Sequence, residues 1–154
     1  MKAVVQRVLQ ASVSINGVIT ASCERGFLIL LGSGREDSDA DIEKLWSKIF
    51  KLRIFPDGER HTGAALSDVA GEALIVSQFT LYADCRKGNR PSFTDAGDPA
   101  ESERLYEAFI ERARRDLPSV SHGEFGADMQ VSLVNDGPFT IVLDTDDLSR
   151  SRRG

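Results

Sequence analysis

Histidine is nearly missing from this chain: His61 and His122 are the only two in 154 residues, and both sit in polar, loop-like stretches. A hydrolase built on side-chain acid–base chemistry needs a nucleophile, a base and an oxyanion site. No HExxH, GxSxG or Walker-type loop appears either. A Ser-His-Asp machine and metal catalysis are therefore both unexpected, and no cofactor or metal is called for. Cysteine is as scarce. Cys23 and Cys85 form no CxxC pair, which excludes a disulfide framework or a zinc site of the usual spacing and leaves two free thiols. No apolar run approaches the roughly 20 residues of a membrane span. The N-terminus meets charge at Lys2 and Arg7, too early for the apolar region of a signal peptide. The expectation is a cytoplasmic protein with no membrane partner.

The composition is that of an ordinary globular chain, 41% hydrophobic and 28% charged, with a net charge of −5 and a pI near 5.1. A domain of this length buries about 68–70% of its unfolded surface. The acidic balance argues against wrapping long duplexes, which draw affinity from many neutralised phosphates. A local basic patch is still able to grip a nucleic-acid end. Arg86, Lys87 and Arg90, in a stretch with Gly88 and Asn89 and no acid, form the best such patch. The plain alternative is a solvated loop. Residues 146–154 read as a flexible basic tail behind a single domain of residues 1–145.

Apolar spacing organises the rest. Residues 2–10 read as a strand, and Val13–Ile15 and Val18–Thr20 flank Asn16-Gly17, a pair suited to a tight hairpin turn. Phe27–Leu31 is a buried strand that ends at Gly32-Ser33-Gly34. Ile42, Leu45, Trp46, Ile49 and Leu52 keep helical spacing behind Ser38-Asp39. Residues 73–79 form another strand and 84–98 a long polar loop. Asp98 then caps a second helix that opens on Pro99 and carries Leu105, Phe109 and Ala113. Three closing strands are expected at 120–125, 128–134 and 139–143. Two main helices outside a curved or barrel-like, antiparallel or mixed sheet define an α+β domain.

Two segments depart from what a core needs. Ser77-Gln78-Phe79-Thr80 puts polar side chains at the end of an apolar strand. Asn135-Asp136-Gly137-Pro138-Phe139-Thr140 puts Gly-Pro between two strand-like runs, where proline has no amide to give a sheet. Both read as walls of one site. Thr80 is a weak nucleophile without an adjacent base. Ser77, Gln78 and backbone amides suit a different task, holding a carbonyl and a water while oriented dipoles stabilise developing charge.

These segments resemble a known family. SQFTLYAD, the basic loop with Arg90-Pro91-Ser92-Phe93, and ADMQVSLVNDGPFT look like the D-aminoacyl-tRNA deacylases, with the likeness running from the first strand to about Leu143. The Ser-Gln-Phe-Thr form, rather than Pro-Gln-Ala-Thr, is that of the chirality-editing branch. The resemblance implies a homodimer that hydrolyses the ester between a D-amino acid and the 3′-terminal adenosine of tRNA, accepts glycine and rejects L-aminoacyl-tRNA. It implies a cis Gly137-Pro138 peptide inserted into the partner's site, with Asn135 and Thr140 flanking it. It also implies Ser77, Gln78 and Thr80 at the reaction, Phe79, Phe125 and Met129 around the adenosine, and Arg86, Lys87 and Arg90 on the tRNA. The helper in catalysis is then the ribose 2′-hydroxyl, with Thr80 as a covalent nucleophile the alternative. Phe139 stands where a smaller apolar residue is expected. Two readings without this chemistry remain, a nucleic-acid-binding module and a purely structural dimer in which Gly-Pro is only a tight turn.

Overall fold

A computed structural model describes residues 1–152. The chain opens with a long strand β1 (Lys2–Ile15), turns at Asn16-Gly17 into β2 (Val18–Cys23), and continues through β3 (Gly26–Gly32). Helix α1 (Asp39–Lys51), the hairpin β4 (Phe55–Asp57) and β5 (Arg60–Ala64), and strand β6 (Glu72–Ser77) follow. A single 3-10 turn (Phe79–Tyr82), the polar loop, helix α2 (Pro99–Arg114), β7 (Val120–His122), β8 (Gln130–Asp144) and a short α3 (Thr145–Ser149) complete the order. The Asn16-Gly17 turn has φ of 50° and 77°, the doubly positive pair that matches strand twist in a two-residue hairpin.

The main sheet runs β2-β1-β3-β6-β7, with β8 added along β1. The β3–β6 and β6–β7 pairs are parallel and the others antiparallel. Each parallel pair needs a crossover, which α1 and α2 supply. This is the expected α+β arrangement, a mixed and nearly barrel-shaped sheet with its two main helices outside. Strand β6 is buried on both faces. Ala73 and Ile75 pack toward the helices, while Leu74 and Val76 join Val8, Val13 and Leu28 in a second core. That double burial is why its sequence reads as an unbroken apolar run rather than an alternation.

Strand β1 serves both cores because its pairing slips. Ala3 and Val5 face the helices, whereas Val8, Ala11 and Val13 face the second core. A register shift between Val8 and Gln10 reverses the alternation, since one extra residue sends all later side chains to the opposite face.

In α1 the Ser38 amide donates to the Asp41 carboxylate at 2.9 Å, and Ile42, Leu45, Trp46 and Ile49 are buried at 0–4% exposure. Each such burial contributes about 1.5–3 kcal/mol, against about 1 kcal/mol for a good cap. The apolar face therefore holds this helix.

Two expectations change. The strands expected at 128–134 and 139–143 are one strand, β8, whose interruption at 136–139 is a wide bulge rather than a break. The tail expected from residue 146 begins inside α3, which Asp144 caps by accepting from the Asp146 amide at 3.0 Å. Arg153 and Gly154, also in that expected tail, lie outside the described residues.

Candidate active site

Strand β6 delivers the first polar segment. Ser77 pairs opposite Leu31, and the Gln78 amide donates to the Leu31 carbonyl at 2.7 Å, prolonging the ladder by one bond. The chain then bends into the 3-10 turn. Gly32 makes room for it: a Cβ there would lie 2.7 Å from the Gln78 carbonyl oxygen. The sequence spacing extends the strand to Phe79, but the structure ends it at Ser77 for this turn.

The amides of Phe79 and Thr80 open the turn, and amides that open a helical turn have no acceptor within it. Two donors side by side suit an oxygen that gains charge. The far end of the turn is anchored. Tyr82 Oη donates to Asp37 Oδ2 at 3.2 Å, and Asp37 also takes the Gly34 amide at 2.6 Å and the Met1 ammonium at 2.7 Å. Burial and the adjacent Asp37 carboxylate raise the Tyr82 phenol above its ordinary value, so it stays a donor.

Beside this turn lies a cleft of about 620 Å³, within the usual range for small-ligand sites. It is lined by Val76–Phe79, by Phe93, Ala96, Gly97, Pro99 and Ser102, and by Phe125–Met129 with Val131. Ser77, Gln78, Phe79, Phe125 and Met129 thus line one cleft. Met129 is drawn in because Gly123 has no side chain: a Cβ there would lie 2.5 Å from the Met129 sulfur. Tyr106 braces the region from α2, its hydroxyl donating to the Ile75 carbonyl at 2.8 Å with the Gly123 carbonyl 3.0 Å away.

Asp128 is the one titratable side chain in the lining. Thr80 is exposed at the edge, and its hydroxyl accepts from the Gln78 side-chain amide. An amide takes no proton at working pH, so this contact orients Thr80 without activating it. His122 lines a different, acidic cleft with Glu103, Glu107 and Glu124, and its Nδ1 lies 2.7 Å from the Gly123 carbonyl. Among the described residues no group of three His, Cys, Asp or Glu side chains is placed to hold a metal.

The second segment sits elsewhere. Gln6 pairs with Thr140 and Val8 with Asn135, so four residues, Asp136–Phe139, face Arg7 alone. Asn135 clamps this bulge: its Oδ1 takes the Phe139 amide at 2.6 Å, and its Nδ2 donates to Thr140 Oγ1 at 3.2 Å. The Gly137-Pro138 peptide is cis, and Gly137 has φ of 124°, which side-chain-bearing residues rarely adopt.

Arg7 lies beneath, 7% exposed. It donates through Nη1 to the Ile54 carbonyl at 2.5 Å and through Nε to the Asp136 carbonyl at 3.1 Å. The Asp136 carboxylate is 3.3 Å from Nε, and the Phe139 ring centroid 5.0 Å from the guanidinium carbon. A Cβ on Gly137 would come within 2.8 Å of Arg7 Nη2. The large side chain at Phe139 therefore covers a buried cation and leaves Gly137-Pro138 exposed. Sequence reasoning passed over Arg7. The available signal was a charge at an inward position of a strand whose neighbours Val5 and Val8 are apolar.

The two walls do not meet within one chain. The bulge is three strands from β6 and several residues back along the sheet, roughly 15–20 Å from Ser77 by strand spacing. The basic loop is closed at its base, next to the cleft residue Phe93, since Asp84 and Ser92 exchange backbone hydrogen bonds at 2.7 and 2.9 Å. Asp84 also holds Arg86 through Nε at 2.8 Å and Nη2 at 2.6 Å. That guanidinium brings the Asp84 carboxyl down to about 2. Arg86 is thus partly neutralised, while Lys87 and Arg90 are exposed and, among the described residues, outside any ion pair.

An α+β domain with a cleft beside the Phe79 and Thr80 amides, and Asp128 as the one titratable side chain in its lining, is the kind of site an ester hydrolase needs when positioned dipoles do the work. The comparisons place it more closely. A family model described as D-Tyr-tRNA(Tyr) deacylase matches residues 4–144, and the chain belongs to that family. It is 52% identical to a D-aminoacyl-tRNA deacylase of Lacticaseibacillus casei, over 95% of this chain and 99% of that one. It is 49% identical to one of Thermosipho melanesiensis, over 94% and 97%. Among solved structures it resembles a c-Myc DNA Unwinding Element Binding Protein, with a TM-score of 0.89, 41% identity and coverage of 94% and 98%. A probable eukaryotic D-amino acid tRNA deacylase shares the fold, with a TM-score of 0.76 at 20% identity over 92% and 97%.

Proposed function

We propose that this chain hydrolyses the ester between a D-amino acid and the 3′-terminal adenosine of tRNA, in the cytoplasm, leaves L-aminoacyl-tRNA intact and accepts glycyl-tRNA. Family membership supports the reaction class. The observation that carries the mechanism is the pair of Phe79 and Thr80 amides beside a cleft whose only titratable lining side chain is Asp128.

The adenosine lies against Phe125 and Met129. The ester carbonyl faces the two amides, and Ser77 and Gln78 hold the carbonyl end and a water. Water attacks the carbonyl carbon, the oxyanion collects the amide dipoles, and the ribose 3′-oxygen leaves with a proton. The ribose 2′-hydroxyl relays that proton, because Gln78 occupies Thr80 without being able to deprotonate it. Arg86, Lys87 and Arg90 meet the tRNA backbone.

Stereochemistry needs a rigid wall, and Gly137-Pro138, held by Arg7 and Asn135, supplies one. It reaches the cleft from a second copy of the chain. Support for that comes from β8, which among the described residues pairs only with β1 and exposes Leu133, Val134 and Val142. A main-chain wedge excludes an L side chain outright, where a soft apolar pocket discriminates only about 10–200-fold.

The test is release of amino acid from matched D- and L-aminoacyl-tRNA. Hydrolysis of both at similar rates rejects the chirality reading, and binding without hydrolysis favours a plain nucleic-acid-binding module. The shared site is tested by exchanging subunits between a Gln78→Ala and a Pro138→Ala protein. Each hybrid contains one intact site and one with neither segment intact, so recovered D-over-L discrimination is expected. Verified exchange without recovery refutes the shared site.

A further inference from the structure

We propose that Phe79 and Phe93 form a stacking platform at the mouth of the cleft for the nucleobase that precedes the terminal adenosine. This rests on the tRNA-end reading above. Phe79 is 58% exposed and Phe93 37%, an unusual state for two phenylalanines that touch. Their rings meet edge to face, with centroids 5.1 Å apart and planes at 68°. Such a pair leaves ring surface uncovered, and a nucleobase is a flat partner of matching chemistry.

Placement gives the occupant. The ester must sit at the Phe79 and Thr80 amides and its nucleoside inside the cleft, so the RNA strand leaves across the mouth, where these rings stand. The backbone bonds between Asp84 and Ser92 close a loop carrying Lys87 and Arg90 beside Phe93. Cations for phosphates and rings for a base thus lie along one exit path. Electrostatic attraction alone would position the backbone without holding the base.

The experiment is a binding cycle with uncharged acceptor-stem hairpins, one ending in CCA and one with an abasic site at the penultimate position. Removing that base is expected to weaken binding to the unmodified protein by about 5- to 150-fold, the range for one stacked base. In Phe93→Ala the same removal is expected to cost less than about 2-fold, because the partner ring is gone. Phe93→Leu keeps apolar bulk against Phe79 but has no flat face, and should behave like Phe93→Ala. Phe93→Tyr should behave like the unmodified protein. Equal losses in the unmodified protein and Phe93→Ala, no loss in either, or an unmodified response from Phe93→Leu would each overturn the proposal. Failure of the deacylase reading shows separately, as an unmodified protein that leaves D-aminoacyl-tRNA unhydrolysed whatever the hairpins report.

Discussion

Replacing Arg7 with methionine keeps most of the apolar stem over Phe139 but removes every donor beneath Gly137-Pro138. Two carbonyl oxygens, of Ile54 and Asp136, then lose partners at 2.5 and 3.1 Å. Hydrogen bonds from a charged donor are worth about 1.5–3 kcal/mol each. The Asp136 carboxylate loses its cation as well, though its side chain is 30% exposed, so water takes over part of that contact. Breaking a buried charged contact typically costs about 3–5 kcal/mol. The partial exposure of Asp136 places the expected loss near the lower end, about 3–4 kcal/mol. With a urea slope of about 2 kcal/mol per M, the midpoint should fall by about 1.5–2 M at fixed protein concentration. Arg7→Lys should fall between, since one ammonium on a flexible stem does not reproduce the guanidinium fork. The same variants should lose discrimination: the ratio of D to L hydrolysis should drop further than the D rate itself. A midpoint within about 0.25 M of the unmodified protein, together with an unchanged D to L ratio, would refute the view that Arg7 sets the wedge.

Thr80→Ala should retain substantial deacylation, whereas a tRNA ending in 2′-deoxyadenosine should react about 10²–10⁴-fold more slowly; an acyl-enzyme trapped on Thr80 would reverse that assignment. Lys87→Ala with Arg90→Ala should lower the slope of log binding constant against log salt by about 1.4–1.8. Arg86→Ala should change it less, because Asp84 already neutralises that charge, and an equal effect from Arg86 would contradict the pairing. Asp116 accepts from Trp46 Nε1 at 2.8 Å and from Arg112 Nη1 at 2.7 Å, and the indole donor first, then the cation, hold its carboxyl below the ordinary value. Its contribution to stability is therefore complete above the unfolded value of about 3.9 and is lost as pH falls through the lower folded one. The stability gap between the unmodified protein and Asp116→Asn in urea titrations should shrink as pH drops from 5 toward about 2; a constant gap would count against that ion pair.

The sequence by itself determined what local chemistry determines. Asn16-Gly17 specifies a tight hairpin because both positions tolerate positive φ. Asp98-Pro99 starts a helix because one residue takes a free amide and the other has none to satisfy. The apolar rhythm of Ile42, Leu45, Trp46 and Ile49 specifies a buried helical face. The polar end of β6 and the Gly-Pro insertion stood out because neither belongs in a core strand.

Tertiary structure decided what depends on residues distant in the chain. Continuity of β8 through Gly137-Pro138 depends on Arg7, about 130 positions earlier, filling the space under the bulge, and no local pattern encodes that. The reversal of faces within β1 follows from its pairing with β8, where the register slips between Val8 and Gln10. Phe79 and Phe93 meet only because the backbone bonds between Asp84 and Ser92 fold the loop back on itself. The separation of the two walls was hidden for the same reason: sequence shows which residues are unfit for a core, whereas sheet order and strand spacing set how far apart they stand.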